Sequence, residues 1–340
     1  MNKILVTGGT GYIGSHTAVE LINEGFEVVI VDNLSNSKME ALDGIEKITG
    51  VRPAFERIDL RSKRETGKVI KKYDIDAIIH FAAYKAVGES VMQPLRYYRN
   101  NLLSLINLLE LMRQYAIPNM VFSSSCTVYG QPEKLPVTED APVQAATSPY
   151  GNTKQISEEI IRDTVAVTDH IKTIALRYFN PIGAHPSALI GELPVGVPGN
   201  LVPFITQTAI GIREQLSVFG NDYNTPDGSC IRDYIHVVDL AKAHVTAVRR
   251  LLENRNRAKF EMFNLGTGRG VSVLELVQTF EKVTGVKLNY KIVGRRPGDI
   301  EQVWADTTYA NEELGWKAQS TLAETLKSAW DWEKSLEFNV

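Results

Sequence analysis

Short apolar runs bounded by glycine, proline or polar clusters recur at residues 3–7, 27–32, 76–82, 119–123 and 173–178, with a weaker one at 53–58, and they read as buried strands. Between them lie longer segments whose apolar positions repeat at helical spacing, at residues 12–24, 62–72, 95–115 and 150–168. Strands buried on both faces and joined by helices form a parallel sheet with helices on either side. The pattern therefore predicts an α/β fold with a doubly wound parallel sheet in the first half of the chain.

From Pro181 onward the texture changes. Pro181, Pro186, Pro194, Pro198 and Pro203, with several glycines, interrupt any long periodic element and suit a loop-rich segment that faces a ligand. Helical patterns return near 201–214, 238–254, 272–284 and 320–336, and residues 260–265 and 288–293 read as further strands. Two domains are expected: residues 1–180, and a smaller α/β domain over 181–340 that mainly binds substrate, with some later segments returning to the first. A length of 340 residues suits one large or two closely packed domains.

Charge and cysteine usage narrow the function classes. Lys and Arg number 37 against 40 Asp and Glu, a net charge of -3, so no general basic field draws in nucleic acid or a membrane surface. An anionic ligand has to be gripped locally. Cys126 and Cys230, the only cysteines, form neither a disulfide framework nor a zinc pattern, and a reducing cytoplasm is the expected setting. The N-terminus reaches Gly8 before a signal-peptide core could form, and no apolar run has membrane length. The histidines at 16, 80, 170, 185, 236 and 244 lack metal-binding spacing, so no metal site is expected.

Directly after the first strand comes Thr7-Gly8-Gly9-Thr10-Gly11-Tyr12-Ile13-Gly14. Gly8, Gly11 and Gly14 form a variant of the dinucleotide fingerprint, allowing a tight turn, close backbone approach to a pyrophosphate and close packing of the next helix, whose N-terminus offers free N–H groups to phosphates. The first domain is accordingly Rossmann-like. The second strand ends at Asp32, 18 residues after Gly14, where a carboxylate can accept from both ribose hydroxyls and repel the extra phosphate of NADP. NAD is thus the expected cofactor. Asp59 is placed to meet the adenine amino group, and Phe81-Ala82-Ala83 ends the fourth strand with small residues beside the cofactor. The competing reading of Asp32 and Asp59 is that both only cap loops.

Tyr150 and Lys154 stand at i, i+4 on one helix face, after a Ser148-Pro149 helix start. Such a pair alone is common on exposed helices; its position downstream of a dinucleotide fingerprint gives it meaning. A free tyrosine titrates near pH 10, so neutrality requires a shift of about 3 units, about 4 kcal/mol, to which a nearby ammonium, the helix end and a nicotinamide cation together contribute. The fifth strand ends in Phe122-Ser123-Ser124-Ser125, at the sheet edge where ligands of such folds bind. Ser125, the last of the run, is the candidate to hydrogen-bond the reacting oxygen.

Taken together, these blocks resemble the extended short-chain dehydrogenase/reductase family and, within it, the UDP-glucose 4-epimerases. The resemblance runs through Val6–His16, Lys85–Ser90, Ser123–Gly130, Ser148–Lys154, Leu176–Pro181 and Arg232–Val237, in order and over nearly the whole chain. Nucleotide-sugar 4,6-dehydratases of the same family carry an Asp-Glu pair where Cys126-Thr127 stands here, which disfavours dehydration. The resemblance implies interconversion of UDP-galactose and UDP-glucose through a 4-keto sugar on tightly held NAD, with Tyr150, Lys154 and Ser125 catalytic. It extends the cofactor contacts, beyond Gly8, Gly11, Gly14, Asp32, Asp59, Phe81, Ala82 and Ala83, to Tyr12, Ile13, Asn33, Leu60, Lys85, Asn100, Ser123, Tyr150, Lys154 and Tyr178.

A sugar that turns over in its pocket cannot be gripped on every side, so the UDP moiety must be the anchor. The resemblance places Arg232 and Arg296 on the pyrophosphate, with Arg295 as the alternative to Arg296, and puts Asn180, Asn200, Leu201, Phe219, Tyr234 and Asp299 on the nucleotide. Lys85, Ser125 and Tyr150 complete the substrate contacts. For Arg232 the bland alternative is a structural partner of Asp233 or Asp239. Val303 stands where family members restricted to UDP-glucose and UDP-galactose carry tyrosine, so N-acetylated UDP-sugars are expected to enter unless a neighbour such as Tyr84 refills the space. Apolar positions in 95–115 and 155–168 exceed what one domain covers; in the family these helices pair across a homodimer. The alternatives are another NAD-dependent oxidoreductase or decarboxylase acting on nucleotide sugars, and an idle NAD-binding protein.

Overall fold

A computed structural model of the chain describes residues 1–296 and 299–337. Seven strands, β1 (Lys3–Thr7), β2 (Glu27–Asp32), β3 (Ala54–Arg57), β4 (Ala77–His80), β5 (Asn119–Ser125), β6 (Lys172–Tyr178) and β11 (Phe260–Leu265), pair in the order β11-β6-β5-β4-β1-β2-β3. All the pairs are parallel. The chain order reverses between β1 and β4, and the crevice above their carboxyl ends is where ligands of such sheets lie.

Alternation along each strand sorts side chains between two cores. Ile4, Val6, Ile30, Ile79, Val121, Ile174 and Leu176 face one core, completed from helices α1 (Tyr12–Asn23), α2 (Glu40–Thr49) and α8 (Val237–Leu252). Leu5, Val29, Val31, Ile78, Met120, Phe122 and Ala175 face the other, against α3 (Lys63–Tyr73), α5 (Pro94–Tyr115) and α6 (Pro149–Ala166). Helix α4 (Val87–Met92) precedes α5. No described helix is long and apolar enough to cross a membrane.

After β6 the chain builds short strands outside this sheet. They are β7 (Asn180–Ile182) with β10 (Tyr234–His236), β8 (Leu216–Phe219) with β13 (Tyr290–Val293), and β9 (Ile231–Arg232) between β12 (Val271–Ser272) and β14 (Gln302–Val303). Helices α7 (Leu201–Ala209), α9 (Val273–Thr284) and α10 (Leu322–Glu337) cover them, around a core that includes Ile205, Val218, Leu276, Phe280 and Leu326.

The two regions are stitched by specific contacts. Val137 N–H donates to Trp304 O at 2.9 Å and Asp306 N–H donates to Val137 O at 2.7 Å. The buried Asp233 accepts from Thr267 N at 2.8 Å, Thr267 Oγ1 at 2.7 Å, Gly268 N at 3.1 Å and Ala305 N at 3.2 Å. Four donors on one carboxylate fix the loops on either side of β9.

Three boundaries depart from the sequence pattern. The helix expected over 201–214 stops at Ala209, because Gly211 turns the chain at φ +88°. Phe81-Ala82-Ala83 lie beyond β4 rather than ending it: the β1–β4 ladder runs only to Thr7 and His80, and Gly8 then turns away at φ +71°. Helix α2 was absent from the expectation. Its sequence, EALDGIEKIT, carries a mid-helix glycine that packs under the 189–190 loop, where a Cβ on Gly44 would lie 2.4 Å from Ile190 Cγ2.

Candidate active site

The turn after β1 leaves no room for side chains. A Cβ on Gly8 would sit 2.9 Å from Ala82 N, and one on Gly14 would sit 2.3 Å from Gly8 O. Gly8 N–H donates to Val31 O at 2.7 Å, and Gly11 caps α1 without a side chain. The result is a bare backbone cradle at a helix N-terminus, the form a pyrophosphate needs.

Beside it, Asp32 at the end of β2 is held in one orientation. Its Oδ1 accepts from Leu34 N at 2.8 Å and Ser37 Oγ at 3.1 Å, and its Oδ2 accepts from Thr10 N at 3.4 Å. Asp59 is bonded by Arg61 through Nε at 3.0 Å and Nη2 at 2.7 Å, and by Asn33 Nδ2 at 3.3 Å. The Arg61 guanidinium holds the Asp59 carboxyl below its usual range. Both aspartates thus organise loops, while Asp32 also rims the cradle. Leu60 points into the core under α5, and its carbonyl accepts from Asn107 Nδ2 at 2.8 Å.

Ser148 caps α6 by accepting from Gly151 N at 3.1 Å, with Pro149 at the first helical position. Tyr150 and Lys154 are thereby presented to the end of β5. The Lys154 ammonium donates to Ser123 O at 2.5 Å and lies 4.8 Å from the Phe122 ring and 6.0 Å from the Tyr150 ring. Burial lowers it to about 8, with Glu158 pulling it back up. The Ser123 hydroxyl is hydrogen-bonded to the Tyr178 phenol, which burial raises to about 12.

Tyr150 itself is raised by desolvation and by Tyr178, while interaction with the Ser125 hydroxyl works in the opposite direction. Among the protein's own groups, burial sets the direction of the shift, upward. Ser125 Oγ also accepts from Thr127 N at 3.2 Å, starting the short turn Cys126–Tyr129. Burial lifts the Cys126 thiol to about 12, so it holds its proton and serves neither as base nor as nucleophile at neutral pH.

The second region contributes cations. Arg232 donates through Nη1 to Ile231 O at 2.8 Å, and its Nη2 lies 3.9 Å from Asp299 Oδ1, so neither Asp233 nor Asp239 is its partner. Arg296 bridges to the same carboxylate at 2.6 Å and lies 5.6 Å from the Phe219 ring. Arg295 turns away to Asp222 at 2.8 Å and to Tyr223. Arg296, not Arg295, therefore clusters with Arg232. Asn180 N–H donates to Asp233 O at 3.0 Å, alongside the buried Tyr234.

Val303 is buried in a cluster with Val128, Tyr129 and Phe179 that borders Cys126. The neighbours packed with Val303 are these residues, while the Tyr84 ring lies against Tyr97 and Arg96. Lys85 and Asn200 both donate to Glu192 Oε1, at 3.3 Å and 2.5 Å, and Leu201 opens α7 next to Asn200. Tyr12 OH donates to Gly183 O at 2.6 Å, and Ile13 packs on the core. Asn100 donates to Asn101 Oδ1 at 3.1 Å.

Sequence reasoning missed Asn101, Glu158 and Glu192. Asn101 clamps Tyr84 from both sides, accepting from its N–H at 2.9 Å and donating to its carbonyl at 3.0 Å, and bonds Thr153 Oγ1 at 3.1 Å. Glu158 continues the i, i+4 series from Lys154, a signal the sequence did carry. Glu192 sits in the proline-broken stretch, where nothing in the pattern marks it.

The chain is similar to several known proteins. A family model described as GDP-mannose 4,6 dehydratase matches residues 5–329. The UDP-glucose 4-epimerase of Bacillus subtilis is 52% identical, with 98% of this chain and 97% of that protein covered. A UDP-glucose 4-epimerase from Stenotrophomonas maltophilia, solved with NAD and a formylated UDP-arabinopyranose, superposes with a TM-score of 0.96 at 46% identity over 100% of both chains. That of Bifidobacterium longum, solved with NAD+ and UDP, gives 0.95 at 44% identity, again over 100% of both chains. The chain belongs to the extended short-chain dehydrogenase/reductases and, within them, to the UDP-glucose 4-epimerase family.

Proposed function

We infer that this protein interconverts UDP-galactose and UDP-glucose by inverting the sugar at C4 with NAD as its resident cofactor. The observation that carries the reading is the placement of Tyr150, Lys154 and Ser125 at the carboxyl edge of the sheet, beside the bare cradle of Gly8, Gly11 and Gly14. NAD would lie across that cradle, with its ribose on Asp32, and when bound it accepts a hydride from C4 and returns it. Tyr150 takes the proton of the 4-hydroxyl and gives it back to the 4-keto sugar, with Ser125 bonded to the same oxygen. Lys154, seated on the Ser123 carbonyl, keeps a positive charge near the phenol and offers N–H groups to the nicotinamide ribose.

Arg232 and Arg296 are our assignment for the pyrophosphate, with Asp299 holding both in register until substrate arrives. Anchoring UDP there leaves the sugar free to turn. The absence of an acidic pair at Cys126-Thr127, and a thiol that burial keeps protonated, support epimerisation over loss of water. Incubating purified protein with UDP-galactose and no added nicotinamide tests the reading: UDP-glucose should accumulate, and net NADH formation in its place would favour the oxidoreductase alternative.

Val303 supports a second, broader reading, in which UDP-N-acetylglucosamine and UDP-N-acetylgalactosamine are interconverted too. Valine presents less bulk than tyrosine at the border of the Cys126 cluster, where it packs on Val128, Tyr129 and Phe179. Val303→Tyr should suppress turnover of the N-acetyl sugars selectively; wild-type inactivity on them would end this reading.

Two copies pairing through α5 and α6 is our reading of the oligomer. Leu95, Leu103 and Ile106 on α5, and Val91 and Met92 on α4, leave apolar surface exposed. The unpaired thiols Cys126 and Cys230 suit a reducing, cytoplasmic setting.

A further inference from the structure

One buried ion pair lies directly behind the site just assigned. Glu158 sits one helical turn after Lys154 on α6, and its side chain is 4% exposed. Arg177 on β6 grips it in a fork, with Nε at 2.9 Å from Oε1 and Nη2 at 2.5 Å from Oε2. The remaining bond to Oε1 comes from Ser124 Oγ at 2.5 Å. Ser124 stands between Ser123, whose carbonyl seats the Lys154 ammonium, and Ser125, which faces Tyr150.

A carboxylate in this place is expensive. Burying an ion pair costs several kcal/mol of desolvation per ion, and an apolar pair of the same volume is often at least as stable. Its retention beside the reacting groups therefore asks for a role that packing does not supply. The surroundings define that role, because each charged or titratable neighbour is accounted for. On its own helix Lys154 faces Tyr150 and Glu158; from β4 it faces His80, which burial keeps neutral down to about 3. From β5 it meets only the Phe122 ring and the Ser123 carbonyl, and Tyr178 on β6 is bonded to Ser123 rather than to the ammonium. Around Tyr150 stand Tyr97 of α5 and Cys126, both protonated. Arg177 is tied off by Glu158, Tyr129 OH at 3.0 Å and Glu139 O at 3.3 Å. The carboxylate that Lys154 feels is Glu158.

We propose that Glu158 is a positioning residue of the epimerisation site: held by Arg177, its carboxylate fixes Ser124 and so the end of β5, and supplies the counter-charge of the Lys154 ammonium. This rests on the epimerase reading above. Burial draws the Lys154 ammonium down to about 8 and Glu158 opposes it, so losing the carboxylate moves deprotonation of Lys154 to lower pH.

The test measures kcat and KM for UDP-galactose against pH in the NAD-loaded wild type, Glu158→Gln and Ser124→Ala. Wild-type turnover itself checks the epimerase reading; its absence would count against that reading, separately from the role of Glu158. In Glu158→Gln, kcat should fall about tenfold with KM changed less than about twofold, and the alkaline limb should move down by about one pH unit, the effect of one charge a helical turn away. Ser124→Ala, which keeps the carboxylate, should lower kcat while its alkaline limb stays at the wild-type pH. An alkaline limb unmoved in Glu158→Gln overturns the proposal whatever the loss of rate or stability, since a purely structural residue would lower activity at every pH alike. Should Glu158→Gln not fold, Glu158→Gln/Arg177→Met is compared with Arg177→Met alone, so that the field of the guanidinium drops out: the double variant's alkaline limb should lie below the single variant's, and coincidence of the two limbs overturns the proposal equally.

Discussion

Removing one oxygen at position 150 separates the proton-transfer role from everything else the tyrosine does. Tyr150→Phe keeps the ring between Ser125 and Lys154, so fold and NAD content should be unchanged while kcat falls by about 10²–10⁴, the usual contribution of a positioned general acid–base. Near-normal turnover by a correctly folded variant would remove Tyr150 from the chemistry. Lys154 sets a pH dependence with a definite sign. Burial depresses its ammonium to about 8, so the cation we assign to phenol and ribose is present below that pH and lost above it. Activity should decline as pH rises through about 8, and Lys154→Ala should both slow turnover and release NAD on gel filtration.

At the scale of elements the strand–turn–helix of β1 and α1 is the part least able to change. Gly14→Ala would press a Cβ to 2.3 Å from the Gly8 carbonyl, and the turn must open to admit it, so NAD retention and melting temperature should both fall. Gly88→Ala in α4 is the matched control, because a Cβ there meets nothing within 4 Å and should leave both unchanged. The same element shows what a sequence can reveal. Its glycine spacing, the Ser148-Pro149 start of α6 and the serine run closing β5 are local signals, set by backbone geometry within a few residues, and all three elements form as that geometry dictates. Asp59 and Asn100 each bond a near neighbour, Arg61 and Asn101, a contact that spacing alone does not reveal. Glu192, Asn101 and Asp233 organise loops across long sequence separations, so no window of the sequence displays them. The upward push of burial on Tyr150 is hidden from the sequence for a related reason. Charges are visible in a sequence, whereas the depth of burial that outweighs them is a property of the whole fold.

Across the whole molecule, stability should depend on pH through histidines buried in neutral form. Burial lowers His16 and His80 to about 3 and His244 to about 4. Between about pH 6.5 and those values the unfolded chain binds protons that the folded one refuses, so stability is full above about pH 6.5 and lost on acidification by about 1.4 kcal/mol per pH unit per histidine. Thermal unfolding should therefore drop steeply from pH 7 to pH 5; a flat profile would show that these rings are protonated in the native state. Oligomeric state is the second global property. Ile106→Glu places a charge on the exposed apolar face of α5 and should shift sedimentation from dimer to monomer, whereas a monomeric wild type would remove the α5–α6 pairing.

The central claim is that the hydrogen leaving C4 is carried as hydride within the site and returned to the same carbon, with Tyr150 moving only the hydroxyl proton. UDP-galactose labelled with deuterium at C4, converted in ordinary water and read by mass spectrometry and proton NMR, tests this most directly. The account predicts UDP-glucose that keeps the deuterium at C4 while the NAD content of the protein stays constant. Loss of the label to solvent would mean that C4 is deprotonated by a side chain, and would contradict the account.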